Sequence, residues 1–361
     1  MLKEKIKNTK PLGFYDGKLV VSKFNIIYIL DGDELLELCK VEVGFFSRIF
    51  SYSNLLVRLL RMEIYSSVIY DGKLFFSFDR FLYSYDFESS SLNFEFEFNK
   101  GSRGPLSFSI IQGVSGFDDG LYFGEYFSNR SKISVCIYKR CEYAWNVIYE
   151  FPSDSINHIH ALVPDKLNNC VWVLTGDFGD AAAIYKFTES FKQFIVAVQG
   201  EQIYRSCVAF PTKGGLLYAT DSQMISNSLR LLMLDNGEFY SKKIADINGP
   251  SIYGSETEDH FIFSTSTEPS DDVKNKLLRL IDNRKASTIL NNESHVFSVS
   301  KEGLFIKDIY VSRKDILPFR LFQFGSIVFP PGMQENNPFY SFSIANKTDD
   351  RCLLVHDINK G

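Results

Sequence analysis

The chain of 361 residues has no long apolar segment and no basic excess. No stretch approaches 18 uninterrupted apolar residues, so the sequence contains no candidate transmembrane helix. Residues 1–7 are charged, and no apolar segment that could act as a secretory signal follows them. Because 39 Lys and Arg stand against 44 Asp and Glu, the net charge is −5, and we expect no nucleic-acid partner. Together these absences predict a cytoplasmic protein.

Cysteine is also scarce, and its distribution excludes two classes of protein. The six cysteines lie far apart without a Cys-x-x-Cys pair, so we expect neither a disulfide framework nor a cysteine-based zinc site. Aromatic residues are abundant instead, with 34 Phe and 19 Tyr. Because aromatic side chains favour pleated, half-buried surfaces, this composition predicts an all-β fold.

Hairpin turns recur along the whole chain. The sequence Tyr-Asp-Gly-Lys-Leu occurs at 15–19 and again at 70–74, and Asp-Gly between alternating apolar runs is a strong hairpin signal. Seven turn pairs follow one another at steps of 44 to 55 residues: Asp16-Gly17, Asp71-Gly72, Asp119-Gly120, Asn168-Asn169, Gly214-Gly215, Glu258-Asp259 and Glu302-Gly303. With four strands per repeat, this spacing predicts a β-propeller of seven four-stranded blades, with six or eight blades as alternatives.

The repeats continue through the middle of the chain without a linker or a change in composition. We therefore expect residues 1–361 to form a single propeller domain rather than two sandwich domains. We expect the C-terminal segment 352–357 to pair with N-terminal strands of the first repeat, which would close the ring and remove two exposed edges. One short helical insert is predicted at 53–61, packed on the side of the propeller.

In a propeller, the loop that enters the first strand of a repeat and the loop between its second and third strands open on the same face, where function often collects. Polar residues recur in this sequence at both of these places. An acidic residue follows the second strand of five repeats, at Asp79, Glu125, Asp177, Asp221 and Asp308. A single acid at such a place often caps its own turn. Because five such acids would lie around one face of the propeller, they predict an acidic rim there.

Histidines mark the entry to the fourth repeat. His158 and His160 lie two residues apart, so a strand directs them to the same face. Arg205 holds the equivalent place in the fifth repeat, and Arg103 precedes the first strand of the third. The predicted site comprises His158, His160, Glu125 and Asp177 as catalytic candidates, and Arg205, Arg103, Gln202 and Asp221 as substrate-binding candidates.

Three chemistries suit these residue types. His158 and His160 with a carboxylate or Gln would hold a divalent metal, the one cofactor expected here. Alternatively, a histidine would act as a general base while Arg205 holds an anionic substrate. Glu125 and Asp177 would form the carboxylate pair of a glycoside hydrolase. A structural histidine pair that is hydrogen-bonded to Asp177 is equally compatible with the pattern.

The middle of the chain contains the segments 120–127, 145–151, 157–160, 171–177 and 204–205 in propeller spacing. Through them, residues 100–230 resemble the sialidase-like, Asp-box (BNR-repeat) propeller proteins found among bacterial surface-polysaccharide proteins. In that family Ser-x-Asp-x-Gly-x-Thr-Trp forms the turn between strands three and four. Residues 138–145 occupy that place here and keep only the Trp, so the Asp-box is degenerate.

The resemblance implies a carbohydrate-active protein that acts on a bacterial surface glycan or its activated precursor, as a glycosidase or a lyase. Its partner would be a glycan or a nucleotide-sugar. A non-catalytic glycan-binding or assembly scaffold is the alternative. Sialidase activity is not expected, because only Arg103 and Arg205 are available for the arginine triad. His-x-His with a nearby Gln is similar in spacing to the metal site of propeller-type pectate-oligomer lyases.

Overall fold

Antiparallel strands dominate the computed structural model, which describes residues 2–99 and 101–359. The strands form seven sheets, six with four strands and one with a fifth short strand. The Asp-Gly turns fold as expected: Asp16, Gly17, Asp71 and Gly72 all have positive φ, which a type I′ turn requires. The predictions of an all-β chain and of seven four-stranded repeats are confirmed.

The first five sheets are each built from four consecutive strands that pair as neighbours. The first comprises β2 (Lys10–Tyr15), β3 (Lys18–Lys23), β4 (Ile26–Asp31) and β5 (Glu34–Lys40). The second comprises β6 (Ser67–Tyr70), β7 (Lys73–Phe78), β8 (Phe81–Asp86) and β9 (Ser91–Glu97). The third comprises β10 (Phe108–Ile111), β11 (Gly120–Gly124), β12 (Val135–Cys141) and β13 (Ala144–Phe151). The fourth comprises β14 (His158–Asp165), β15 (Cys170–Gly176), β16 (Ala183–Thr188) and β17 (Gln193–Gln199). The fifth comprises β18 (Ser206–Thr212), β19 (Gly215–Thr220), β20 (Ser228–Asp235) and β21 (Glu238–Asp246).

The last two sheets depart from this simple order. The sixth comprises β22 (Ser251–Thr257), β23 (His260–Thr265), β24 (Glu293–Ser300), β25 (Ile306–Arg313) and the short β27 (Met333–Gln334), which lies parallel to β22. The seventh comprises β26 (Ser326–Val328), β28 (Phe339–Ile344), β29 (Cys352–His356) and the N-terminal β1 (Leu2–Lys7). The N-terminal and C-terminal strands pair antiparallel, with Lys5 opposite Leu354. β1 joins the last sheet, while the first sheet is complete without it, so the predicted pairing of 352–357 with strands of the first repeat was wrong.

One predicted turn was assigned to the wrong connection. Six of the seven turn pairs lie at the connection between the first and second strands of a sheet. Glu302-Gly303 instead joins β24 to β25, the outer hairpin of the sixth sheet. Asp308 therefore lies in an edge strand with an exposed side chain, and its prediction as a rim acid was wrong. The seventh sheet connects β26 to β28 through residues 329–338, so a two-residue turn is absent from that place.

Short helices interrupt the strands at α1 (Phe45–Phe50), α2 (Asn54–Leu60), α3 (Lys276–Ile281) and α4 (Phe319–Phe322), with 3-10 turns at Gly179–Ala181 and Gln202–Tyr204. The predicted insert at 53–61 is confirmed by α2, which Ser53 caps by accepting a hydrogen bond from the Leu56 N–H. Arg58 of α2 is buried and pairs with Asp315 and Asp350. Within the described residues, no helix has the length and hydropathy needed to span a bilayer.

Packing divides the chain into two compact units. The first unit comprises Met1–Leu74, Tyr85–Leu92 and Asn248–Gly361, and the second comprises Phe75–Ser84 and Asn93–Ile247. That residues 1–361 form one domain stays a prediction.

Strand β14 of the second unit is held by apolar contacts on both faces. Ile159 and Leu162 pack into a cluster that includes Phe151, whereas Ala161 and Val163 pack into a cluster that includes Trp172. Burial on both sides fixes the strand that carries the histidine pair.

Candidate functional site

The polar cluster of the second unit is assembled from the ends of four strands. His158 begins β14, and the register between β14 and β15 shifts between Ile159 and Ala161. His160 is therefore the extra residue of a bulge, a device that re-aims one side chain out of the regular alternation. Asp177 directly follows β15, and Arg205 directly precedes β18.

The two imidazoles face one another through their Nε2 atoms, which lie 3.0 Å apart. The Nδ1 of His158 lies 3.2 Å from the carbonyl oxygen of Phe127, and the Nδ1 of His160 lies 2.8 Å from that of Ser206. A carbonyl oxygen only accepts hydrogen bonds, so each Nδ1 carries the hydrogen. In the neutral pair both Nε2 atoms consequently present lone pairs toward each other.

Asp177 is the third member of the cluster, and its side chain is partly exposed to solvent. Its Oδ1 lies 3.3 Å from the Nε2 of His158, 4.0 Å from the Nε2 of His160 and 3.4 Å from the Nη2 of Arg205. Burial opposes ionisation of this carboxyl, but a hydrogen bond from His158 in its protonated form and the charge of Arg205 lower its pKa below the ordinary value. One quarter of the Asp177 side chain is exposed, whereas the two histidines are buried.

The pKa of His160 is lowered to about 4, first by burial and then by the neighbouring His158. Desolvation disfavours the charged imidazolium because the His160 ring itself is buried. At neutral pH His160 is therefore uncharged, and its Nε2 is an acceptor or a ligand atom.

A second carboxylate lies behind the pair. Asp221 follows β19 and its Oδ2 lies 3.3 Å from the Nη2 of Arg205. The same Oδ2 accepts a hydrogen bond from the Cys207 thiol at 3.2 Å. Burial and the Asp221 charge raise the pKa of Cys207 well above its usual range, which keeps it a thiol. Among the described residues, the buried Oδ1 of Asp221 has no hydrogen-bond partner.

Gly176 makes room for the ring of His160. A Cβ atom on Gly176 would lie 2.3 Å from the Cε1 and 2.6 Å from the Nε2 of that ring. Such distances are far below van der Waals contact, so only glycine is compatible with this ring position. Sequence reasoning missed Gly176, because no residue pattern reveals which ring packs on a backbone. Cys207 was also missed. Its two-residue spacing from Arg205 could have indicated it, because residues two apart in a strand share a face.

Gln202 supports the cluster through the backbone. Its Nε2 donates to the carbonyl oxygen of Asp177 at 2.8 Å, and its Oε1 accepts from the Ser222 hydroxyl at 2.9 Å. Both ends of the amide are thereby occupied. Phe178 is half exposed, with the Arg205 guanidinium 5.7 Å from its ring centre.

Glu125 forms a separate group. Its Oε1 accepts from Asn99 at 2.9 Å, and its Oε2 accepts from the Cys136 N–H at 2.8 Å. Burial raises its pKa despite these bonds. In the part of the chain that the structure describes, its carboxylate bonds neither histidine. Arg103 lies half buried in the loop before β10.

Comparison with known proteins identifies the fold. No family model and no curated protein matches the chain. It is similar to the solved AfRom2 CNH domain, at a TM-score of 0.52 and 8% identity over 98% of this chain and 95% of that one. It is also similar to a chain in the crystal structure of a mitotic checkpoint complex, at a TM-score of 0.53 and 9% identity over 99% and 94%. This chain is a β-propeller. At such low identity the likeness shows the fold alone, so the function of this propeller depends on its site.

Proposed function

We propose that this propeller is a carbohydrate-active protein whose centre is a divalent cation held by His158, His160 and Asp177. The cation would receive the carboxylate or phosphate of an acidic glycan or nucleotide-sugar. The observation that carries the proposal is the 3.0 Å between two Nε2 atoms whose Nδ1 partners are both carbonyl oxygens.

Two facing lone pairs at this distance repel unless a positive centre lies between them. In a tetrahedral zinc site, bonds of about 2.0–2.1 Å place neighbouring ligand atoms about 3.3 Å apart. The separations of His158 Nε2 from His160 Nε2 and from Asp177 Oδ1 are 3.0 and 3.3 Å, and that of His160 Nε2 from Asp177 Oδ1 is 4.0 Å. Metal-binding histidines usually donate their other ring N–H to a carbonyl or carboxylate, as both do here. The cluster therefore has the spacing and the outer support of a cation site.

The charges of the cluster also favour a cation. Asp177 and Asp221 are both within reach of the single guanidinium of Arg205, so one negative charge is left without a counterion when the histidines are neutral. Because Arg205 lies beside both carboxylates, we propose that it neutralises part of their negative charge rather than binding the substrate. The cation would then be the group that binds the anionic ligand.

The carbohydrate class rests on the sequence resemblance and on the surroundings of Asp177. Exposed Phe178 follows Asp177 directly, and an exposed aromatic face suits stacking against a sugar ring. A glycan-binding scaffold would use the same centre, so binding rather than turnover is the appropriate readout.

Calorimetric titration of metal-free protein with Zn²⁺ and with Mn²⁺ tests the cation site. We expect one equivalent to bind, and His158→Gln to weaken binding by about 100-fold or more, since outer-shell partners alone are worth 10–100-fold. His295→Gln is the matched control, because His295 also lies beside two carboxylates, Glu293 and Asp308. Absence of binding, or equal binding by both variants, contradicts the proposal.

A glycan array then tests the ligand class. We expect the metal-loaded protein to retain acidic oligosaccharides and to release them on chelation. Cation binding without any glycan binding would refute the carbohydrate assignment and leave the cation site standing.

A further inference from the structure

Two segments of the first unit combine apolar side chains with cations and contain no acidic residue. Residues 45–61 include Arg48, Arg58 and Arg61, and residues 273–281 include Lys274, Lys276 and Arg279. Each segment thus has a formal charge of +3 in sequence within a chain whose net charge is −5, although Arg58 is buried against Asp315 and Asp350 and adds nothing to the surface. These two segments therefore combine positive charge with apolar side chains, whereas the chain as a whole is acidic.

The structure leaves most of the apolar side chains of these segments in solvent, with Val57 as a buried exception. Neither α1 nor α3 has a buried residue. Phe45 and Phe46 of α1 are 72% and 69% exposed, and Leu277 of α3 is 75% exposed. Tyr52, between α1 and α2, is 87% exposed. Single exposed apolar residues are ordinary, but a group of this size marks an interaction surface.

Helices α2 and α3 are connected by α4, which packs against both, and α1 is separated from α2 only by residues 51–53. Arg61 at the end of α2 donates to the carbonyl oxygen of Arg320 in α4 at 3.5 Å. Arg320 and Arg279 of α3 both pair with Asp271. We call the exposed residues of α1, α2 and α3, with the connecting Tyr52, the helical apolar surface.

We propose that the helical apolar surface docks on a lipid bilayer that contains anionic lipids. Its side chains are carried by helices of six or seven residues, which would lie in the interface with aromatic and leucine side chains inserted. Exposed cations accompany them at Arg48, Lys274 and Lys276. Basic residues beside inserted apolar ones are attracted by the negative surface potential of such a bilayer. Of the acids that flank 273–281, Asp271 and Asp282 are paired with arginines, so Asp272 is the flanking acid that offsets these exposed cations.

Co-sedimentation with vesicles tests the docking. We expect the protein to bind phosphatidylcholine vesicles that contain phosphatidylserine, and to bind pure phosphatidylcholine vesicles much more weakly. Phe45→Ser with Phe46→Ser should reduce binding by at least about tenfold, because each exposed ring loses its apolar burial. Lys274→Glu with Lys276→Glu should abolish the preference for phosphatidylserine. Both pairs are exposed, so the fold is retained.

The matched control is Leu167→Ser with Phe305→Ser, two residues that are 61% and 76% exposed and lie outside the helical apolar surface. We expect this variant to bind vesicles as the wild type does. Failure of the wild type to bind phosphatidylserine vesicles, or unchanged binding by the Phe45 and Phe46 variant, overturns the proposal. A wild-type dimer that this variant converts to a monomer would also overturn it, since the surface would then be a contact between two copies. None of these residues belongs to the proposed cation site, so the two proposals fail separately.

Discussion

Replacing Gly176 by alanine should disrupt the histidine pair without removing any of its polar groups. The added Cβ would lie 2.3 Å from the Cε1 of His160, and the ring is fully enclosed. The His160 ring would therefore have to rotate away. This rotation would separate its Nδ1 from the carbonyl oxygen of Ser206 and its Nε2 from the Nε2 of His158. Loss of cation binding and loss of stability should appear together.

The cost of this substitution has two parts. Forcing an extra methyl group into a packed site destabilises a protein by about 1–3 kcal/mol. Breaking the hydrogen bond between His160 and Ser206 adds about 1–3 kcal/mol, because both groups are buried and would lose their partner. We expect Gly176→Ala to lower the free energy of unfolding by about 2–6 kcal/mol.

Thermal and urea unfolding of Gly176→Ala and Gly214→Ala, with Zn²⁺ titration of both, measures the effect. Gly214 is a matched control, since a Cβ there meets its nearest atom at 3.7 Å, an ordinary contact. We expect Gly214→Ala to keep the stability and cation affinity of the wild type. If Gly176→Ala behaves like the control in both assays, the position of the His160 ring is wrong and the cation site falls with it.

Two further predictions concern the C-terminal strand. Burial lowers the pKa of His356 to about 4 from the 6.5 of the unfolded chain, so the unfolded state binds the proton first as pH falls through this window. The wild type should lose up to about 3 kcal/mol more stability than His356→Gln between pH 7 and pH 4; parallel stability curves in urea contradict this. Deleting 350–361 removes β29 from between β1 and β28 and should lower Tm by about 10 °C or more, since its two leucines are fully buried. Deleting only 359–361 is the control, and equal melting of the two truncated chains refutes the role of β29.

The fold could be predicted because the hairpin signals are local. Asp16-Gly17 and Asp71-Gly72 need positive φ, and few other residue pairs accept that conformation. The misassigned Glu302-Gly303 shows the limit, because a turn motif does not state which two strands of a sheet it joins. Helices α1 and α3 were not predicted, since six residues are too few to show a helical period.

The candidate site was predictable where position along a strand determines direction. Asp177 and Asp221 follow second strands, while His158 and Arg205 stand at first-strand entries, and the structure brings these four together. Glu125 holds an equivalent position, but Asn99 and the Cys136 N–H occupy its carboxylate. Which partner a carboxylate selects depends on neighbouring strands, and the order of residues in the chain does not reveal it.

The most direct test of the cation site is anomalous diffraction from crystals soaked in Zn²⁺. The proposal predicts one peak within about 2.0–2.2 Å of the Nε2 atoms of His158 and His160 and of an Asp177 oxygen. His158→Gln crystals soaked in the same way should lack this peak. An empty site in the wild type, with the two Nε2 atoms still 3.0 Å apart, would mean that a shared proton holds the pair together and would contradict the account.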